Sequence, residues 1–97
     1  MTIREEELTA KMADLFKLFG DGTRIKILYC LFEGEKKVSE ITDYTKVSQS
    51  AVSHQLKILR DGNLVANRRE GKEIYYRLAD QHVKTIIGQG YDHVTED

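Results

Sequence analysis

The apolar residues of this chain change period twice, and that switch limits the fold more than any other property of the sequence. As far as Gly62 they recur at steps of three and four, the spacing that puts side chains on one face of a helix. From Leu64 to Leu78 they follow period two, as in a strand with one buried face, and beyond Asp80 the helical spacing returns. The 97 residues contain no proline, low-complexity stretch or internal repeat that would mark a boundary inside this pattern. Residues 1–97 are therefore expected to form a single domain, mainly α, with a two-stranded β wing before the last helix.

End signals place the elements. Leu8, Met12, Leu15, Phe16 and Phe19 predict one amphipathic helix that stops near Gly20. Asp21 is the expected N-cap of a second helix with Ile25, Leu28, Leu31 and Phe32 on its buried face and Gly34 at its end. A shorter helix follows with Val38, Ile41 and Tyr44 turned inward. The turn Thr45, Lys46, Val47, Ser48 leads to a fourth, in which Ser48 caps, Val52, Leu56 and Leu59 form the core stripe, and Gly62 terminates. Two short helices joined by about four residues are the outline of a helix-turn-helix, whose second helix reads the major groove. Leu64 to Arg68 and Glu73 to Leu78 read as strands joined by a charged turn, Arg69, Glu70, Gly71 and Lys72. Asp80 then caps a last helix with apolar positions Val83, Ile86, Ile87, Tyr91 and Val94.

A net charge of −1 hides an uneven distribution. Residues 46–77 carry 7 basic and 3 acidic side chains, whereas residues 78–97 carry 1 and 4. A basic middle suits phosphate contact and an acidic end suits cation capture. On the fourth helix, Gln49, Ser50, Ser53, His54 and Lys57 lie opposite the core stripe. Glutamine can pair with adenine, and serine with bases or phosphates, but any surface helix also has a polar face. The hairpin favours the DNA reading, because Arg68, Arg69 and Lys72 at its tip suit phosphates or the minor groove.

The acidic end holds two short pairs of metal-ligand type, Asp80 with His82 and His93 with Glu96. Eleven residues separate the histidines, roughly 16 Å along a helix, against metal–ligand bonds of about 2 Å. One chain cannot bring both pairs to one ion. Eleven steps of about 100° return nearly to the same face, so an antiparallel symmetry mate would set the first pair of one chain against the second pair of the other. A single histidine is more often a surface or core residue than a ligand; the pairs gain meaning only together. Gly88 and Gly90, each costing roughly 1 kcal/mol relative to alanine in a helix, lie near the midpoint where two such helices would cross. A frayed tail is the alternative reading, with Glu96 most exposed to it.

The segments FGDGTRIKIL, SQSAVSHQLKILRDGNLV and RREGKEIYYRL, in this order, resemble the ArsR/SmtB family of bacterial metal-responsive repressors, from about Leu15 to Glu96. The resemblance implies a winged helix-turn-helix homodimer, joined through its N- and C-terminal helices, that binds operator DNA without metal and releases it when metal binds. It places Gln49, Ser50, Ser53, His54 and Lys57 on the DNA-contacting helix and Arg68, Arg69 and Lys72 on the wing. Asp80 and His82 fall on the first pair of the family's dimer-interface zinc site, and His93 and Glu96 on the second, with His93 as relay to the reading head. The chain departs from the family at Gly22, where proline usually follows the aspartate.

Two imidazoles and two carboxylates suit Zn(II), with Co(II) as substitute. The resemblance also implies no soft-ion site, since the family senses such ions through clustered cysteines near the start of the helix-turn-helix or at the N-terminus, and the segment VSEIT and the N-terminus here have none. The single Cys30, among Ile27, Leu28, Leu31 and Phe32, reads as a small buried hydrophobe, and a thiol switch within one chain would need a second thiol. Four protein ligands leave no open metal position and no nucleophile stands beside them, so an enzyme acting on a small-molecule substrate is not expected. No apolar run reaches membrane-span length and MTIREEEL lacks a signal-peptide hydrophobic region, so the expectation is a cytoplasmic protein with no membrane partner. Two alternatives stay open: a winged-helix DNA-binding dimer with a vestigial metal site, regulated by another ligand, and a winged-helix module that serves only protein interaction.

Overall fold

The computed structural model describes residues 3–96, which form five helices and a small sheet. Helix α1 spans Ile3–Leu18 and α2 spans Gly22–Cys30, continued by a 3-10 turn over Leu31–Glu33. Asp21 caps α2 as expected, its carboxylate accepting from the Arg24 backbone N–H at 3.0 Å. Gly34 ends this segment at φ 144°, a conformation that a side chain would strain. Strand β1 is the dipeptide Lys36–Lys37, and α3 (Val38–Thr45) follows at once. The Lys37 backbone N–H donates to the Glu40 carboxylate at 3.0 Å, satisfying a donor at the start of α3.

Helix α4 spans Gln49–Asp61, with Ser48 Oγ accepting from the Ala51 N–H. Its stripe is the centre of the core: Val52, Leu56 and Leu59 are fully buried, against Ile27 and Leu28 of α2 and Ile41 of α3. The α3–turn–α4 unit is thus a helix-turn-helix held by the residues its periodicity marked. Strands β2 (Val65–Glu70) and β3 (Glu73–Leu78) form the hairpin, and α5 (Gln81–Thr95) closes the chain under its N-cap Asp80. Val83 and Ile87 seat α5 on the core.

The wing differs from the expected one in two ways. The sheet has three strands in the order β1-β3-β2, all antiparallel, because Lys36 and Lys37 pair with Tyr76 and Tyr75. Two lysines carry no strand signal; pairing to a distant strand makes them one. The turn is also shorter, since Arg69 pairs with Ile74 and Glu70 with Glu73, leaving only Gly71 and Lys72 between the strands. Gly71 has φ 62°, the positive value that a first position in a two-residue hairpin turn can require.

Two apolar positions of α2 and α3 face out where an inward stripe was expected. Ile25 is 39% and Tyr44 is 50% exposed, while Cys30 and Thr45 take the buried places beside them. On α1, Leu8, Met12 and Phe16 are more than half exposed, although Leu15 and Leu18 pack on the core. The period of α1 is helical as read, but its apolar face has no cover within the described residues of this chain. Gly88 has an intrachain reason: a Cβ there would stand 3.1 Å from the Phe32 ring, whereas Gly90 meets nothing within 4 Å. Only Gly90 keeps the open space expected of a crossing point.

Candidate nucleic-acid interface and split ligand pairs

Helix α4 turns its polar side to solvent. Gln49, Ser50, Ser53, His54 and Lys57 are all exposed, and Gln49 and Ser50 occupy the first turn, where free backbone N–H groups favour an anion. Lys57 is tied to Asp61 by a salt bridge of 3.2 Å one turn on, a kind of exposed pair that contributes little and yields readily to a phosphate. The residues expected on this face are therefore side by side and accessible.

Arg68, Arg69 and Lys72 are also exposed on the wing, but Arg68 is engaged inside the chain. Its Nε and one terminal nitrogen donate to the two Glu35 oxygens at 2.9 and 2.8 Å, and the other donates to Glu70 at 2.8 Å. The guanidinium also lies 4.7 Å from the Tyr75 ring centre. Hydrogen bonds from Arg68 hold the Glu35 carboxyl below the usual carboxylate range, and those to Glu35 and then Glu70 hold Arg68 more firmly protonated than usual. This fork braces β2 to the segment before β1. Among the described residues no ion pair engages Arg69 or Lys72, which leaves them as the free cations of the wing tip. The pairing of Arg68 with a residue 33 positions earlier has no signal in local sequence.

The ligand-type residues lie at opposite ends of α5. At its start, His82 Nδ1 is 3.6 Å from Asp80 Oδ1, and that same oxygen accepts the capping N–H of Val83 at 3.0 Å. At its end, His93 Nδ1 is 3.9 Å from Glu96 Oε1. Glu96 stands just past the helix, as its C-cap, rather than within it. Both imidazoles are more than four-fifths exposed. Among the described residues, no three groups of ligand type come together within the chain. The donors are thus accessible, of mixed nitrogen and oxygen type, and divided two and two.

Between the end of α1, α2 and the second half of α5 runs an apolar groove of about 460 Å³, lined by Phe16, Phe19, Ile25, Tyr29, Tyr91 and Val94. Tyr29 stacks on Tyr91 with ring centres 4.8 Å apart, and burial chiefly raises its hydroxyl pKa. Phe16, which lines this groove, lies on the same exposed stripe of α1 as Leu8 and Met12. Cys30 lies inside the core at 6% exposure, with its thiol pKa raised by burial. No helix among the described residues is long and apolar enough to cross a membrane.

A helix-turn-helix with an exposed polar second helix and a cationic β wing is the architecture of a winged-helix DNA-binding regulator. Comparison with known proteins makes this specific. Residues 21–67 match the bacterial regulatory protein arsR family. The chain is 42% identical over 86 residues to the transcriptional repressor SmtB homolog of Synechocystis, covering 89% of this chain and 65% of that one. It is 37% identical to the cadmium resistance transcriptional regulatory protein CadC homolog of Staphylococcus aureus, covering 88% of this chain and 71% of that protein. It therefore spans about two thirds of the length of these relatives. Its structure is similar to a homodimeric winged helix-turn-helix DNA-binding domain of Mycobacterium bovis, described as from a possible ArsR-family regulator, with a TM-score of 0.86 at 31% identity over 97% of this chain and 91% of that one. The chain belongs to the ArsR family of transcriptional regulators.

Proposed function

We propose that this regulator is a zinc-responsive repressor that binds operator DNA as a metal-free homodimer and leaves it when Zn(II) occupies a site shared between protomers. The observation that carries the reading is the division of ligand pairs between the two ends of one exposed helix, each pair already within 4 Å, with no third donor gathered at either among the described residues. Asp80 and His82 of one protomer, with His93 and Glu96 from a second copy, would make a set of two nitrogens and two oxygens. That donor set fits Zn(II), and Co(II) as substitute. Held by these four side chains, the ion would tie the two last helices to each other. The uncovered face of α1, the groove and open Gly90 support a second copy on this side, as does the homodimeric assembly of the Mycobacterium bovis domain.

In this reading Gln49, Ser50, Ser53 and His54 face base edges and phosphates, Lys57 exchanges Asp61 for phosphate, and Arg69 and Lys72 hold the flanking backbone. Arg68 keeps the wing in place through Glu35 and reaches DNA only if that pairing opens. Two reading heads held by metal at an altered spacing miss successive half-sites about 34 Å apart. An allosteric coupling of about 1 to 3 kcal/mol is typical, and by reciprocity DNA weakens zinc binding by the same factor. Fluorescence anisotropy of a palindromic duplex, selected by the metal-free protein, tests this during titration with Zn(II). Release by native protein, absent in His82→Ala and His93→Ala, is expected. A native complex indifferent to Zn(II) and Co(II) would leave the site vestigial and the effector some other ligand.

A further inference from the structure

We propose that Arg24 is a positioning residue for DNA recognition, clasping the reading helix α4 to the end of α1 through Gln55. Its guanidinium reaches three acceptors on two helices. Nε donates to the Leu18 carbonyl at 2.9 Å, one terminal nitrogen to the Lys17 carbonyl at 3.2 Å, and the other to Gln55 Oε1 at 3.2 Å. The first two acceptors belong to the last turn of α1, where carbonyls lack helical partners and a cation is favoured. The third sits in the middle of α4, one residue after His54 on the exposed reading face. Arg24 itself is fixed from behind, since its backbone N–H is held by the Asp21 cap.

A second contact, formed by different atoms, joins the same two helices. The Leu18 side chain fills the space above Gly62, where a Cβ would stand, so the end of α1 also bears directly on the end of α4. Attachment at Gln55 and at Gly62 fixes the direction of α4 as well as its position, because two points along one rod define its angle. Leu18 takes part in both, through its carbonyl in one and its methyl in the other. The exposed stripe Leu8, Met12 and Phe16 lies on this same α1. Whatever covers that stripe is thereby tied to the angle of the reading helix. The inference rests on the proposed reading in one respect, that α4 is the helix that enters DNA.

The test is a double-mutant cycle of Arg24→Lys and Gln55→Leu, measured by anisotropy on a duplex that the native protein selects from a random pool and on an unselected duplex. Loss of one charge-assisted bond predicts about tenfold weaker binding of the selected duplex for each single variant. The double variant should lose the same tenfold rather than about a hundredfold, because both changes break one clasp. Binding of the unselected duplex and sedimentation mass should stay native while the fold still melts cooperatively, which general damage to the fold would not allow. Additive losses would mean that Gln55 acts on DNA directly and would overturn the proposal. So would equal losses on both duplexes, or native discrimination in both single variants. A native protein that selects no duplex at all would overturn the DNA reading and the clasp with it.

Discussion

Mixing two defective chains should restore one metal site. His82→Ala removes a donor at the start of α5 and His93→Ala one at its end. The pairs are eleven residues apart, roughly 16 Å on a helix, so neither chain can complete a site alone. In a dimer of one variant, both shared sites lose one of four donors. A mixed dimer instead concentrates both defects in one site and leaves the other with all four native donors. Four-ligand structural zinc sites carry roughly 10–16 kcal/mol, so one donor is worth about 3 kcal/mol, or about a hundredfold in Kd. The assay is Zn(II) titration against a chromogenic chelator, with mixed dimers isolated through two different affinity tags. One ion per mixed dimer at native affinity, and about a hundredfold weaker binding in each parent, is the expected result. A mixed dimer with two equally weakened sites, or parents with native affinity, would refute the division of the site between chains.

Other consequences follow from the core, the wing and the thiol. Leu56→Ala, at a fully buried position, should cost about 2–5 kcal/mol and lower the melting temperature on the order of 10 °C or more by calorimetry. Glu35 has its folded pKa depressed by Arg68, so its tie to the wing is complete above the ordinary carboxylate range and is lost as pH falls through the lowered value. Protection factors of β2 and β3, taken against the intrinsic exchange rate at each pH, should therefore fall in acid, and Glu35→Gln should show the lowered protection already at neutral pH; unchanged protection would count against the brace. Burial raises the Cys30 thiol, so iodoacetamide should label it at least about a hundredfold faster in urea than in the native protein. Equal rates would place Cys30 outside the core.

Local rules carried the reading of the sequence far where one side chain meets a backbone a few residues away. Asp21, Ser48 and Asp80 each accept the N–H three residues on, so their roles are visible in the residue type and the apolar pattern that follows. The stripe of Val52, Leu56 and Leu59 was legible for the same reason, and with it the exposed face opposite. Period alone does not say what an apolar face packs against, which is why Ile25 and Tyr44 turned out exposed. Strand β1, the Glu35–Arg68 fork and the Arg24–Gln55 bond all join residues more than thirty positions apart. Such pairings are decided by topology. The ligand pairs were visible as pairs because each spans two or three residues, and their exposure is a matter of the face of α5 on which they fall.

The three-stranded wing also bears on how this protein avoids its own kind. In the order β1-β3-β2 the outer strands are β1 and β2, and unpaired edges invite strands from other molecules. One edge is Lys36–Lys37, and the other runs through Asn67, Arg68, Arg69 and Glu70. Arg68 is matched by Glu35 and Glu70, so two wings approaching edge to edge would set Lys36, Lys37 or the unmatched Arg69 against the same cations of the other. The cations that suit DNA thus keep the sheet from growing. Neutralising Arg69 to weaken phosphate contact would remove part of that barrier, so solubility at high concentration should fall along with affinity.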